Sequence, residues 1–210
     1  MAPVARAMVR AQGPRAADAI LDAVDVLLAR YGYKKMGIED VAKEVGIGKG
    51  TVYLSFRSKE DIVLSYVDRL VARLCVRLAA IAAEDRRSPA DRVRRMLVER
   101  VTYRLDSVKH YSESLSELLA DVREGLLERR RRHFAQEIAI FAAVLRQGRR
   151  AGEMSFADAE ETAEGLVLAT NSLLPFSLSV RELGSRRTVE RKAESLATLL
   201  VRGIARPRRP

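Results

Sequence analysis

Apolar residues recur at intervals of three and four along almost the whole chain, and strict alternation of apolar and polar positions is nearly absent. A period near 3.6 puts side chains on one face of a helix, whereas a half-buried strand needs a period of two. The pattern predicts an all-α protein. Ile20, Leu21, Val24, Leu27, Leu28 and Tyr31 form a first stripe that begins near Arg15 and stops at Gly32. Ile38, Val41, Ala42 and Val45 repeat the spacing over a shorter segment ending at Gly46, and Thr51, Val52, Tyr53 and Phe56 make a third short helix. Ser58-Lys59-Glu60-Asp61 has the form of an N-cap with an acidic first turn, launching a long stripe from Ile62 through Tyr66, Leu70, Leu74 and Leu78 to Ile81. Beyond Ser88-Pro89 the spacing predicts helices over roughly 89–105, 111–123, 125–147, 156–182 and 186–205. These are divided at His110, Gly125, Gly148 to Gly152 and Gly184, with Pro175 kinking the fourth. The total is about nine helices. Residues 1–14 are Ala/Arg-rich without periodicity and read as a flexible basic arm, and 206–210 as a basic tail.

Composition narrows the class. The chain of 210 residues is long enough for a sizeable core, and its formal charge of +10 fits a polyanionic partner. That excess does not locate a binding face, because residues 1–60 hold ten Lys and Arg against seven Asp and Glu, a net of +3. A single cysteine, Cys75, forbids an internal disulfide, and two histidines, His110 and His133, leave no Cys/His zinc cluster. No apolar run approaches the ~18 residues of a membrane span. A cytoplasmic protein without membrane contact is expected. No Ser/His/Asp, Cys/His or paired-carboxylate constellation is visible, so neither catalytic residues nor a cofactor or metal site is assigned.

The glycine cluster in VGIGKGTVYLSF, residues 45–56, raises the question of a phosphate-binding loop. A P-loop needs a glycine five positions before Gly48, where Lys43 stands, and it must leave a strand. Here the glycines leave a helix. Two short helices joined by a glycine turn form a helix-turn-helix unit, in which small Ala42 permits a close crossing and Gly46 suits a left-handed backbone. The third helix is then the recognition helix, whose N-terminal residues enter the DNA major groove. Lys49 and Thr51 sit at that end, and Gly50 lets the backbone come close.

The run from Ile20 to Val63, above all YGY, IEDVAKEVGIGKGTVY and YLSFRSKEDI, resembles the DNA-binding domain of the tetracycline-repressor (TetR) family of bacterial transcription regulators. The resemblance implies that Thr51, Tyr53 and Lys59 meet backbone phosphates, and that Lys49, Gly50 and Leu54 lie at or near the groove floor. The family usually has Ser or Thr before the second helix, where this chain has Met36-Gly37. A basic residue is common at the position of Glu39, and an acid there repels phosphate or prefers a cytosine amino group.

On this reading residues 15–60 are the DNA-binding domain, and 61–205 form a larger helical domain for effector binding and dimerisation. The expected partners are a double-stranded, palindromic DNA operator, an unknown small-molecule effector and a second copy of the chain. The last two helices pair with their symmetry mates as a four-helix bundle. In the resembling family the helices carrying Tyr103, Tyr111, Phe134, Phe141 and Phe176 enclose the effector, and polar Asn171 amid LVLATNSLLPF stands out there. Tyr103, His110, Tyr111, Phe141 and Asn171 are the candidate effector contacts. The rival reading is an all-α enzyme or small-molecule-binding protein with an incidental N-terminal three-helix unit. A third, an architectural DNA protein, explains the charge but not ~150 residues of apolar helical companion.

Overall fold

The computed structural model describes residues 14–111, 115–175 and 184–206; the expected basic arm, Phe176 and nearly all of the basic tail lie outside these. Among the described residues there are nine α-helices and no strand. They are α1 (Pro14–Lys35), α2 (Ile38–Val45), α3 (Lys49–Ser55), α4 (Lys59–Ala82), α5 (Pro89–Val108), α6 (Leu115–Asp121), α7 (Arg123–Arg150), α8 (Ala159–Thr170) and α9 (Arg186–Ile204). Short 3-10 turns follow α5 (Lys109–Tyr111) and α8 (Asn171–Leu173). The chain divides into two compact units: one runs to Arg69 and adds His110–Leu126, and the other combines Leu70–Lys109 with Leu127 onward.

In the first unit α1 packs against α2, α3 and α6. Its inward stripe, Ile20, Val24, Leu27 and Leu28, is at most 1% exposed, and it turns at Gly32, whose φ of 69° and ψ of 171° suit only glycine. Polar ties hold α4 to α1: the Tyr66 hydroxyl donates to Asp25 Oδ1 at 2.6 Å, and Arg69 Nη1 reaches Asp22 Oδ1 at 2.9 Å. Gly125, expected between two helices, instead lies inside α7, and the break falls at Val122. The glycine answers close packing, since a Cβ there would stand 2.4 Å from Leu64 Cδ1 of α4.

In the second unit α5 lies against α8 and α9, and α8 also packs on α9. The core joins Leu74 and Leu78 of α4, Met96 and Leu97 of α5, Phe141 and Leu145 of α7, Leu166 and Val167 of α8, and Ala197 and Val201 of α9. Helix starts are capped by side chains, as the sequence chemistry requires. Ser88 Oγ accepts from Asp91 N–H at 3.2 Å and Asp158 Oδ1 from Glu161 N–H at 2.9 Å. Gly148 does not end α7, which continues to Arg150 and stops before left-handed Gly152. Of the helix expected over 156–182, the described part is α8 from Ala159 to Thr170 and the 3-10 turn after it; Leu174 is extended (φ −92°, ψ 149°) before Pro175, where a kink was expected, and 176–182 lie outside the described residues.

Candidate nucleic-acid interface

Two short helices and one left-handed glycine build this surface. The inward residues Val41 and Val52 are fully buried and Ala42 is buried between them, which fixes α3 across α2. At Gly46 (φ 74°, ψ 32°) the Ile47 N–H donates to the Ala42 carbonyl at 2.9 Å and the Gly46 N–H to the Lys43 carbonyl at 3.2 Å. That pair satisfies the last carbonyls of α2 and turns the chain into α3. At the other end of α2 no hydroxyl cap exists. Asp40 Oδ2 instead accepts from the Gly37 N–H at 2.8 Å, the returning half of a capping box.

The opposite face of α3 is open. Lys49 and Gly50 are exposed, Thr51 is half-buried, and Tyr53 and Leu54 are 49% and 83% exposed. Leu54 therefore contributes little to the packing of its own unit and is open to contact from outside. The Lys49 ammonium is hydrogen-bonded to Glu39 Oε1 across the α2–α3 angle. The contact holds the Glu39 carboxyl below its usual range and raises the lysine. Lys59 is partly committed inside the unit: its Nζ donates to the Tyr33 carbonyl at 3.1 Å and stands 4.2 Å from the Tyr33 ring centre. An ammonium carries three protons, so donors remain for a phosphate.

The candidate effector residues are divided between the two units. His110 is exposed and Tyr111 buried, both in the first unit. Burial pushes the Tyr111 hydroxyl up to about 12, opposed by its hydrogen bond with Tyr66. Tyr103, Phe141 and Asn171 belong to the second unit. Phe141 is a core side chain, and Tyr103 is half-buried with the Arg77 guanidinium 5.4 Å from its ring centre. Asn171 is buried, and its Oδ1 accepts from Arg100 Nη2 at 2.7 Å. Among the described residues no His/Cys/Asp/Glu group is placed to hold a metal ion.

Sequence reasoning missed what surrounds Asn171. Arg100 and Glu137 are fully buried and paired at 2.5 Å, with Arg104 beside them. A signal for them exists: Arg100 and Arg104 continue the buried stripe of Val93, Met96 and Leu97, and Glu137 continues that of Phe141, Val144 and Leu145. Charged residues on an apolar stripe either pair or are misassigned.

Comparison with known proteins fits this geometry. The sequence model of the bacterial regulatory proteins of the tetR family matches residues 20–66, which cover α2, α3, most of α1 and the start of α4. The fatty acid metabolism regulator protein of Bacillus subtilis is 41% identical over 46 residues, which are 22% of this chain and 24% of that protein. The chain thus matches about a quarter of that relative's length. Among solved structures, a TetR transcription regulator from Haloarcula marismortui superposes with a TM-score of 0.71 at 20% identity, covering 91% of this chain and 99% of the other. The complex of SmeT, from Stenotrophomonas maltophilia, with triclosan gives 0.66 at 16% identity, covering 93% and 94%. At such identities the structures speak for the fold alone. Residues 20–66 thus carry the signature of the tetR family of bacterial regulatory proteins, and the chain shares the all-α fold of the solved structures along most of its length.

Proposed function

We propose that the protein is a homodimeric transcriptional repressor that binds a palindromic operator and leaves it when a small molecule binds the second unit. The observation that carries the reading is the open face of α3, with Lys49, Gly50, Tyr53 and Leu54 outward over a buried Val41/Ala42/Val52 scaffold. A helix of this size enters a major groove, where lysine donates to guanine and an apolar side chain meets a thymine methyl. Tyr53, Thr51 and Lys59 then anchor to phosphates, and such contacts position the protein without reading sequence.

One recognition helix reads too few base pairs to be selective, which calls for a dimer. α8 carries exposed Leu168 one turn from Gly165, and α9 carries exposed Leu199 one turn from Gly203. No atom lies within 4 Å of a Cβ built at either glycine, so both positions can take a closely approaching helix from a second copy. Small-molecule control is supported by the likeness to SmeT, whose complex with triclosan has the same fold. Helix α4 contains residues of both units, so a ligand that shifts it in the second alters the first. Such a ligand acts only through its difference in affinity between the two states. A DNA partner places the protein in the cytoplasm, and among the described residues no helix is long and apolar enough to cross a membrane.

The test is sedimentation of the free protein and of its complex with enriched duplex DNA. Dimers at micromolar concentration in both, on a two-fold symmetric site, support the reading. Monomers in both contradict it.

A further inference from the structure

One cluster of buried charges in the second unit does not balance. Arg100 and Arg104 lie one turn apart on α5, 0% and 8% exposed, and share a single carboxylate, Glu137 of α7, itself 0% exposed. Glu137 Oε2 accepts from Arg100 Nε at 2.5 Å and Arg104 Nη1 at 3.2 Å, and Oε1 accepts from Arg104 Nη2 at 2.5 Å. The remaining arms of the Arg100 fork go to neutral oxygens, Thr170 Oγ1 at 2.8 Å and Asn171 Oδ1 at 2.7 Å. Burial lowers the Arg100 guanidinium only to about 10, and the arginines beside it hold Glu137 below its usual range, so this pair is charged at neutral pH. Two cations and one anion leave one positive charge with almost no access to water.

A third cation, the exposed Arg130, stands nearby. The Arg130 guanidinium lies 4.9 Å from the Phe134 ring centre, and Arg100 is 5.8 Å from the same ring. Its field pushes the Arg100 pKa down. Among the described residues no second carboxylate is bonded to Arg100, Arg104 or Arg130. A buried uncompensated charge is costly unless an anion joins it, and a guanidinium fork matches the two oxygens of a carboxylate. The flanking positions are apolar: Val101 and Leu105 on α5 cluster with Leu174, Val189 and Ala193.

We propose that Arg104, with Arg100 and Arg130 beside it, binds the carboxylate of an amphipathic organic acid whose apolar part is accommodated by this side of the second unit. The inference rests on reading that unit as the effector-binding one, and it supplies the effector's chemical class. Glu137 then holds the arginines in place in the free protein, and the ligand supplies the missing negative charge. Asn171 acts through Arg100 as a positioning residue.

The experiment is titration calorimetry of the full-length protein with decanoate, decan-1-ol and decyltrimethylammonium, all below micelle-forming concentrations. The wild type should bind decanoate about tenfold or more tighter than the alcohol, the scale of a charge-assisted hydrogen bond, and the ammonium most weakly. Arg104→Gln keeps a donor for Glu137 Oε1 but cancels the excess charge, and it should bind acid and alcohol alike. Arg104→Lys should keep the ranking. Equal binding of acid and alcohol by the wild type, no binding of either, or an undiminished preference in Arg104→Gln overturns the proposal. Should the glutamine variant fail to fold, the wild-type ranking decides alone. DNA release is measured separately: acid-selective binding without release leaves the anion site standing and removes its regulatory role.

Discussion

The lysine that opens α3 is ion-paired with an acid on the preceding helix: the Lys49 ammonium holds Glu39 of α2. Both side chains are exposed, at 49% and 72%, so the pair contributes little to stability. On the proposed reading its consequence lies in binding, because Glu39 then puts a negative charge where phosphates or base edges come and engages the Lys49 cation that would meet them.

Replacing Glu39 by Gln should therefore tighten binding to all duplexes, leave the melting temperature where it is, and steepen the salt dependence by about one unit. Filter binding at several salt concentrations reads all but the melting temperature, which calorimetry supplies. If affinity falls for the operator alone while other duplexes are unaffected, Glu39 reads a cytosine instead.

Lys59 has one task in the fold and a proposed one on DNA, and one substitution separates them. Lys59→Ala removes the hydrogen bond to the Tyr33 carbonyl and the contact with the Tyr33 ring, so urea denaturation should show a loss of about 1 kcal/mol. Loss of a phosphate anchor should also weaken specific and non-specific DNA about equally and lower the salt slope by roughly one unit. A stability loss with an unchanged slope confines Lys59 to the fold.

Most of this architecture was legible because each element agrees with its own local chemistry. The stripes of α1 and α4, the Gly46 turn and the Ser88-Pro89 start are short-range signals, and the structure realises them. What failed was long-range. Gly125 and Gly148 were read as breaks, yet each lies within α7 because another segment presses on it: Leu64 in one case, Met154 and Pro89 in the other. A single sequence does not distinguish a glycine that ends a helix from one that admits a neighbour. Arg100 and Arg104 carry no local signal of a partner, and only tertiary pairing shows that they share Glu137 in the interior.

Gly148→Ala tests that packing. The added Cβ would stand 2.5 Å from Met154 Sδ and 3.0 Å from Pro89 Cβ, both buried. Overpacking costs about 1–3 kcal/mol, and the better helix propensity of alanine offsets about 1 of it. Urea denaturation should show a net loss of up to about 2 kcal/mol; a stabilised variant contradicts this reading of the glycine.

Glu137→Gln should be severe at neutral pH, with about 3–5 kcal/mol lost because two buried guanidiniums lose their carboxylate partner among the described residues. Burial works to raise the Glu137 pKa, but the two arginines prevail and hold it below the usual 4.5. A depressed folded-state pKa means that the stabilisation is fully present above the unfolded-state value and is lost as pH falls through the folded one. The wild type should therefore lose stability on acidification below about 4.5, and the gap to Glu137→Gln should narrow there. Calorimetric melting from pH 7 to 3 checks it; a gap that widens on acidification contradicts the charged triad.

Leu199 is 69% exposed on α9. Leu199→Glu should turn a sedimenting dimer into a monomer at micromolar concentration with the helical circular-dichroism signal intact, and operator affinity should fall with it. A dimer unaffected by the charge removes this part of α9 from the interface.

The central claim is that α3 reads DNA sequence, and selection from random duplexes followed by sequencing tests it most directly. Wild-type protein should enrich two symmetric half-sites about one helical turn, ~34 Å, or slightly more apart. Lys49→Ala should change the preferred bases at the same positions in each half-site and cost on the order of 1–3 kcal/mol on the original operator. No enriched motif, or the same motif recovered at the same affinity by Lys49→Ala, would contradict the account.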